Sequence, residues 1–257
     1  MCGLVSYTHP MTYCLAIKLE TGLVLCSDSR TNAGVDRVST FSKMHRFSVP
    51  GDRQIVLLSA GNLATTQAVV DYINRDISEA AELTVANAPY MLDVVDYIGQ
   101  LSVKVQEKYA PAGEEAGFNA AASFILGGQI GGAPPELYMI YPEGNHLRPS
   151  ESHPYFQIGE TKYGKPILDR IIEAQTSPEI AMRCALVSMD STLRSNASVG
   201  PPIELLYLAR DNLKQPAAYR RYEQGDDYLV ELRQSWNEQI LLAFNNLPPL
   251  HILPEAD

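Results

Sequence analysis

Residues 12–30 read TYCLAIKLETGLVLCSDSR and carry the most informative structural pattern in the chain. Two short apolar runs, at 12–20 and 23–27, are separated by the turn-forming pair Thr21-Gly22. The second run ends in the polar triplet Asp28-Ser29-Arg30. This pattern predicts a β-hairpin that carries polar side chains at one end.

Outward from this hairpin, strand and helix patterns alternate in blocks. A second hairpin is predicted around the turn Pro50-Gly51-Asp52, and Gly61 closes its second strand. Apolar residues at helical spacing predict helices from near Leu63, from about Pro89 to Tyr109, at 166–174, at 180–193 and close to the C-terminal end. Further strands are predicted at 121–126, 137–141 and 203–208. The order favours an α+β protein whose helices cover both outer faces of paired antiparallel sheets.

The composition is that of an ordinary globular protein. Hydrophobic residues make up 46% of the 257 residues and charged residues 19%. The net charge of −10 and the pI near 5.0 argue against nucleic-acid or anionic-membrane partners, because both require a basic surface. No repeat or linker divides the sequence. We therefore expect one domain over residues 12–257, preceded by an extra segment at 1–11.

The cysteines and histidines are not spaced as metal ligands. The four cysteines stand at positions 2, 14, 26 and 184, and two of them fall inside apolar runs, as reduced thiols do. No apolar run approaches the roughly 18 residues of a membrane-spanning helix. The first ten residues do not resemble a signal peptide. We expect a cytoplasmic protein that needs no metal or other cofactor.

Thr12, Asp28 and Lys43 could form a nucleophilic centre. A threonine hydroxyl attacks efficiently only when a base takes its proton, and a free α-amino group at Thr12 could be that base. Such an amine has a pKa of roughly 7.7–8.0 and is partly neutral near physiological pH. Lys43 would stabilise charge on the Thr12 oxygen, and Asp28 would hold Lys43. The N–H of Gly61 could donate to a tetrahedral oxyanion.

Each of these residues also has a plain structural interpretation. Thr12 alone is more often an ordinary strand threonine, and Lys43 could be a solvated surface lysine. Asp28 and Arg30 could form a structural ion pair. Gly61 could serve only the packing of a turn, and His45 more often decorates a strand than acts as a base.

Several segments together resemble a proteasome β subunit, and the bacterial ancestral β-subunit branch (Anbu) in particular. The opening at 12–30 matches that family in spacing, although Lys43 comes one position early. Ser59-Ala-Gly61-Asn62 before a helix resembles the family's oxyanion-hole glycine and first helix. The further matching segments are DSRTNAGVD at 28–36, SKMHRF at 42–47, QIGETKYGKP at 157–166 and SMDSTLRS at 188–195.

The resemblance implies a four-layer αββα fold and threonine-dependent cleavage of peptide or other amide bonds. It also implies self-assembly into rings or ring-like arrays, with any ATPase supplied by a separate partner. Two positions depart from the family pattern. Glu160 stands where proteasome subunits place a serine. Ser198 is kept in the segment SNASVG (195–200), where the family also has an aspartate, while the nearest one here is Asp190. Arg30, Glu160 and Ser198 are assigned supporting roles.

The residues before Thr12 leave three alternatives. In the first, which we favour, translation starts at Met11, and removal of this methionine exposes Thr12. The segment could instead be a propeptide, although proteasome precursors are cut after glycine and Pro10-Met11 precedes Thr12 here. It could also persist and leave the protein inactive.

Two other functions are compatible with the sequence. The departures at Glu160 and near Ser198 suit a ring-forming scaffold with little catalysis. The start Met1-Cys2-Gly3-Leu4-Val5 resembles class II glutamine amidotransferases, which use Cys2 as nucleophile. Those enzymes usually carry an Asn-Gly step in the glutamine pocket, and this sequence has none.

Overall fold

The structure is a computed structural model that describes residues 12–32, 38–116 and 119–250. Cys2 and Met11 lie outside the described residues. The chain forms two compact units, residues 1–224 and 225–257. The expected single domain over 12–257 stays a prediction.

The first unit contains twelve described strands and four described helices. In chain order these elements are β1 (Tyr13–Leu19), β2 (Gly22–Asp28), β3 (Arg30–Asn32), β4 (Val38–Thr40), β5 (Met44–Val49), β6 (Arg53–Gly61), α1 (Leu63–Ser78), α2 (Met91–Ala116), β7 (Ala122–Ile130), β8 (Glu136–Ile140), β9 (His146–Leu147), β10 (Tyr155–Gly159), α3 (Lys165–Ile171), α4 (Pro178–Ser195), β11 (Ile203–Ala209) and β12 (Ala218–Tyr222).

Two five-stranded antiparallel sheets form the centre of this unit. One has the strand order β10-β1-β2-β11-β12, and the other has the order β5-β6-β7-β8-β9. Strands β3 and β4 pair in a separate two-stranded sheet. Both predicted hairpins are confirmed, as β1–β2 and β5–β6. The short or edge strands β3, β4, β9, β10 and β12 were not predicted.

The sheets and helices stack in four layers. Helices α1 and α2 bury an apolar cluster against the outer face of the β5–β9 sheet, with Ile73, Ile98 and Phe124 fully enclosed. A second apolar cluster, including Leu25 and Leu58, fills the space between the sheets. Helix α4 packs on β1, β2 and β11 at the opposite face, beside α3. The predicted αββα sandwich is confirmed.

Several helix limits differ from the sequence prediction, and the largest difference is at the end of α2, which runs on to Ala116, seven residues beyond the predicted Tyr109. Helix α2 begins at Met91 rather than Pro89, because the Asp93 carboxylate accepts the Tyr90 N–H at 3.1 Å and caps the helix start. Helix α3 ends at Ile171, three residues before the predicted limit. Ile172 is already extended, with φ −93° and ψ 120°, so the helical turn cannot continue.

The second unit contains one described helix, α5 (Asp227–Asn245). Asp226 caps it by accepting the Tyr228 N–H at 3.0 Å. No residue of α5 is buried, and the large apolar side chains near its end are exposed. Across the described parts of both units, no helix combines the length and apolar character that a membrane span requires.

Candidate active site

The ends of four strands bring the predicted catalytic residues to one end of the sandwich. Thr12 lies directly before β1, and Asp28 ends β2. The β1–β2 register pairs Cys14 with Ser27, which places the backbone of residues 12–13 beside Asp28. Lys43 precedes β5, and its carbonyl accepts the Ser59 N–H of β6 at 3.0 Å. Gly61 ends β6.

Asp28 is the centre of this arrangement and is fully buried. Its Oδ1 accepts the Thr12 hydroxyl at 2.9 Å, the Tyr13 N–H at 3.0 Å and the Lys43 ammonium at 2.6 Å. Its Oδ2 accepts the Gly200 N–H at 3.1 Å. A buried carboxylate with an ion-pair partner and several donors is fixed in position.

Lys43 is not the solvated surface lysine that its sequence also allowed. Its side chain is 10% exposed, and its Nζ donates to the Arg30 carbonyl at 2.7 Å as well as to Asp28. The Thr12 hydroxyl and the Lys43 ammonium therefore meet at the same carboxylate oxygen.

Arg30 does not pair with Asp28 in the described structure, so the alternative of a structural ion pair is wrong. Its Nη1 donates to the Ala197 carbonyl at 2.8 Å, and its backbone N–H donates to the Gly200 carbonyl at 3.1 Å. A Cβ on Gly200 would lie 2.2 Å from the Arg30 Cζ. Arg30 thus fastens the 197–200 loop, which in turn supplies the N–H donor to Asp28.

Glu160 lies beside Thr12. Its N–H donates to the Thr12 carbonyl at 2.7 Å, and its buried carboxylate accepts the Asn196 amide at 3.0 Å. Lys162 forms a longer ion pair with it at 3.5 Å. The preceding Gly159 has φ +83°, and a Cβ there would lie 1.9 Å from the Thr12 carbonyl oxygen.

Ser198 is linked to this group through Asn196. Its backbone N–H donates to the Asn196 Oδ1 at 2.9 Å. The described contacts of Ser198 therefore place it behind Asn196 and Glu160 rather than against the Thr12 side chain.

Gly61 ends β6 opposite Ala122, the first residue of β7. Its φ is +107°, and a Cβ would lie 2.4 Å from the Ala121 carbonyl oxygen. Only glycine combines this backbone conformation with that approach. Gly61 borders the same cavity as Thr12 and Lys43.

That cavity has a volume of about 390 Å³. Its walls come from β3, from the residues before and within β5, from the end of β6 and from one face of α1. Thr12, directly before β1, also lines it. The candidate nucleophile therefore faces a space large enough for a peptide side chain.

A buried carboxylate network beside the cavity was missed in the sequence. Glu204 of β11 is 4% exposed and accepts hydrogen bonds from Ser42 at 2.6 Å, Tyr219 at 2.7 Å and Ser29 at 3.2 Å. The available signal was one glutamate inside the apolar run Ile203-Glu-Leu-Leu206. Asn196 and Gly200 were quoted only as part of a motif, and no sequence signal showed that they would hold Glu160 and Asp28.

His45 is a further titratable group at the cavity wall. Burial lowers the pKa of His45, which favours the neutral imidazole near pH 7. His45 lines the cavity, but none of its described contacts joins it to Thr12. Within the described ranges, no group of three or more His, Cys, Asp or Glu side chains is arranged to hold a metal ion.

Comparisons of the sequence and of the structure with known proteins indicate the same family. The proteasome family model, described as "Proteasome subunit", matches residues 11–208. Anbu (ancestral beta-subunit) from Yersinia bercovieri is 40% identical, with a TM-score of 0.87 over 94% of this chain and 100% of that one. The structure titled "Helical Assembly of the Anbu Complex from Pseudomonas aeruginosa" is 42% identical, with a TM-score of 0.88 over 94% and 99% of the two chains. No curated protein matches.

Proposed function

The chain belongs to the proteasome subunit family, and from this premise we propose that it is an amide-bond hydrolase whose nucleophile is Thr12. The observation that carries the proposal is the shared Asp28 Oδ1, which accepts the Thr12 hydroxyl at 2.9 Å and the Lys43 ammonium at 2.6 Å. This contact joins a candidate nucleophile, a cation and a buried anion at the edge of an open cavity.

The reaction requires Thr12 to carry a free α-amino group. That amine takes the proton of the Thr12 hydroxyl as the oxygen attacks the substrate carbonyl carbon. Lys43 offsets the negative charge that develops on the Thr12 oxygen, and Asp28 keeps Lys43 in place. The Gly61 N–H donates to the carbonyl oxygen as it becomes an oxyanion.

Breakdown of the tetrahedral intermediate gives two products. The leaving amine receives the proton held by the Thr12 amine and departs, which leaves an ester between the acyl group and Thr12. Water then attacks the ester with the same amine as base, and the free acid is released. Arg30 and Glu160 act as positioning residues, because one fastens the 197–200 loop and the other fixes the Thr12 backbone.

We also propose that the protein works as a homo-oligomer in the cytoplasm. The similar protein from Pseudomonas aeruginosa is described as a helical assembly. Exposed apolar side chains near the end of α5 supply surface that a second copy could cover. The free thiols of Cys14, Cys26 and Cys184 suit a reducing compartment.

The test starts from the N-terminal residue. We would produce the chain from Met11 and from Met1, and determine each mature N-terminus by intact mass. Turnover of short fluorogenic peptides is expected only from chains that begin at Thr12. Thr12→Ala is expected to lower kcat at least about 1,000-fold with an unchanged circular dichroism spectrum.

A covalent inhibitor directed at N-terminal threonine separates the enzyme from a scaffold. Adduct formation on Thr12 is expected, and Lys43→Met is expected to slow it. Correctly processed protein that neither forms the adduct nor cleaves any peptide would contradict the hydrolase and favour a structural role. Activity that survives Thr12→Ala and disappears in Cys2→Ala would favour the amidotransferase alternative.

A further inference from the structure

One wall of the Thr12 cavity is a single face of helix α1. The lining residues on this helix are Leu63, Thr66, Gln67, Val70 and Asp71. Their spacing of three and four residues places them in one stripe. From Leu63 to Asp71 this stripe runs for about 12 Å along the helix axis. The cavity therefore continues along α1 beyond the strand end that carries Gly61.

Asp71 gives this wall a negative charge. It is the only carboxylate among the described residues that line the cavity. Its side chain is solvent-exposed, and within the described ranges no hydrogen bond or ion pair occupies its oxygens. An unpaired carboxylate beside a binding cavity attracts a cationic group on the ligand.

The positive groups of the cavity are already engaged by the protein. Lys43 is paired with the buried Asp28 at 2.6 Å. Arg30 donates to Ala197 and lies against Gly200, as part of the loop attachment. Burial lowers the pKa of His45, so the imidazole adds little positive charge near pH 7. These groups leave Asp71 as the charged side chain that is open to a ligand.

The cavity also contains a hydroxyl group that lacks a partner. Thr31 is 8% exposed, and its Oγ1 has no hydrogen-bond partner among the described residues. A buried polar atom without a partner is unfavourable, and a polar ligand group that reaches it removes this penalty. Ser42, which also lines the cavity, donates its hydroxyl proton to Glu204 at 2.6 Å and accepts the Met44 N–H at 3.2 Å, which leaves its oxygen one further acceptor position. A side chain that donates several hydrogen bonds suits these oxygens.

We propose that the cavity selects peptides with a basic side chain next to the cleaved bond, and that Asp71 is the residue that determines this preference. The inference rests on the proposed hydrolase function. The group recognised is a guanidinium or an amine, which pairs with the Asp71 carboxylate while its N–H groups reach the Thr31 and Ser42 oxygens.

Binding is measured first, since it does not depend on turnover. The probes are two short peptides that end in arginine or in citrulline, which is uncharged and nearly the same size. The protein is the assembled Thr12→Ala variant. We expect the arginine peptide to bind about threefold to fivefold more tightly, as a partly exposed ion pair allows. The preference should shrink as salt is raised.

Variants then assign the preference to Asp71. Asp71→Asn is expected to make the two peptides bind equally, whereas Asp71→Lys should favour a peptide that ends in glutamate. Glu82→Gln removes one exposed carboxylate outside the cavity and should leave the preference unchanged. Equal binding of the arginine and citrulline peptides to the Asp71 protein would overturn the proposal. Retention of the preference in Asp71→Asn would also overturn it.

Turnover separates this inference from the hydrolase itself. The protein that retains Thr12 is tested on fluorogenic peptides with arginine, citrulline, leucine or glutamate next to the cleaved bond. Cleavage of the leucine peptide without a preference for arginine over citrulline would contradict the proposed specificity but not the proposed hydrolase activity. If the arginine peptide bound more tightly than the citrulline peptide but no peptide were cleaved, the proposed hydrolase activity would be contradicted and the proposed site for a cationic ligand would stand.

Discussion

At the scale of single residues, Asp28 is where the candidate chemistry and the stability of the fold coincide. Its fully buried carboxylate accepts hydrogen bonds from four groups on three different chain segments. Removal of the charge would therefore affect the Lys43 ammonium, which is also buried. A buried charge that loses its partner is costly, because no water replaces the lost interaction.

Asp28→Asn is accordingly expected to lower the free energy of unfolding by about 3 kcal/mol. The measurement is urea unfolding followed by circular dichroism. Glu179→Gln is the control, since it breaks the exposed Arg183–Glu179 pair and should cost less than about 1 kcal/mol. If the two variants lost equal stability, the Asp28–Lys43 pair would not be the stabilising contact inferred here.

Three cysteines are expected to resist alkylation in the native protein. Burial raises the pKa values of Cys14 and Cys26, and it raises that of Cys184 to about 12. At pH 8 only about one Cys184 side chain in 10,000 would then be the reactive thiolate. In a Cys2→Ser background, iodoacetamide at pH 8 should add mass only after denaturation. Modification of any of the three thiols within minutes in native protein would contradict this expectation.

At the scale of secondary-structure elements, the sequence predicted those helices and strands whose apolar residues recur at a clear local spacing. The runs around Thr21-Gly22 are mostly apolar because β1 and β2 are central strands that are buried on both faces. Helices α1 and α4 each show an apolar stripe because one face of the helix packs against a sheet. A pattern of this kind depends only on nearby residues and can be recognised without a structure.

The elements and site residues that escaped prediction depend on distant partners. Strand β12 is an edge strand of mostly exposed residues, such as Arg220 and Arg221, and is recognisable only beside β11. The contact between Glu160 and Asn196 joins residues 36 positions apart. The sequence allowed a site to be proposed at Thr12, Asp28 and Lys43 because their spacing resembles a specific family pattern. The only sign of Glu204 in the sequence is a charged residue within an apolar strand.

The end of β6 provides a test at this scale. Gly61→Ala is expected to cost about 3 kcal/mol of stability, because the new methyl group meets the Ala121 carbonyl and φ is positive. Gly131→Ala is the matched control, since Gly131 also has positive φ but open space around it. That variant should cost only about 1 kcal/mol. Denaturant unfolding would measure both, and an equal cost would show that steric approach to β7 is not the constraint.

At the scale of the whole molecule, apolar surface near the end of α5 is the feature that needs a partner. Leu241 is 63% exposed, Phe244 68% and Leu247 60%. Side chains of this size and number are rarely left to solvent in a protein that stays monomeric. A second copy of the chain is the occupant expected from the proposed assembly.

We therefore expect light scattering to give masses that are multiples of the 28.3 kDa chain. Phe244→Asp should shift the distribution toward the single chain, because a carboxylate in an apolar interface must be desolvated. Phe244→Tyr retains most of the apolar area and should leave the assembly largely intact. A wild-type chain that is monomeric at every concentration would contradict the assembly, and an oligomer unaffected by Phe244→Asp would place the interface elsewhere.

Gly159 has a consequence for genetics. The Thr12 carbonyl passes so close to its Cα that no other amino acid can occupy the position. In a library that samples every codon and selects for function, codon 159 should be as intolerant as codon 12, although its residue contributes no reacting atom. Mutational intolerance alone would then not distinguish these two positions, which are neighbours in space. The chemistry of the side chains is needed to distinguish the candidate nucleophile from the glycine that makes room for it.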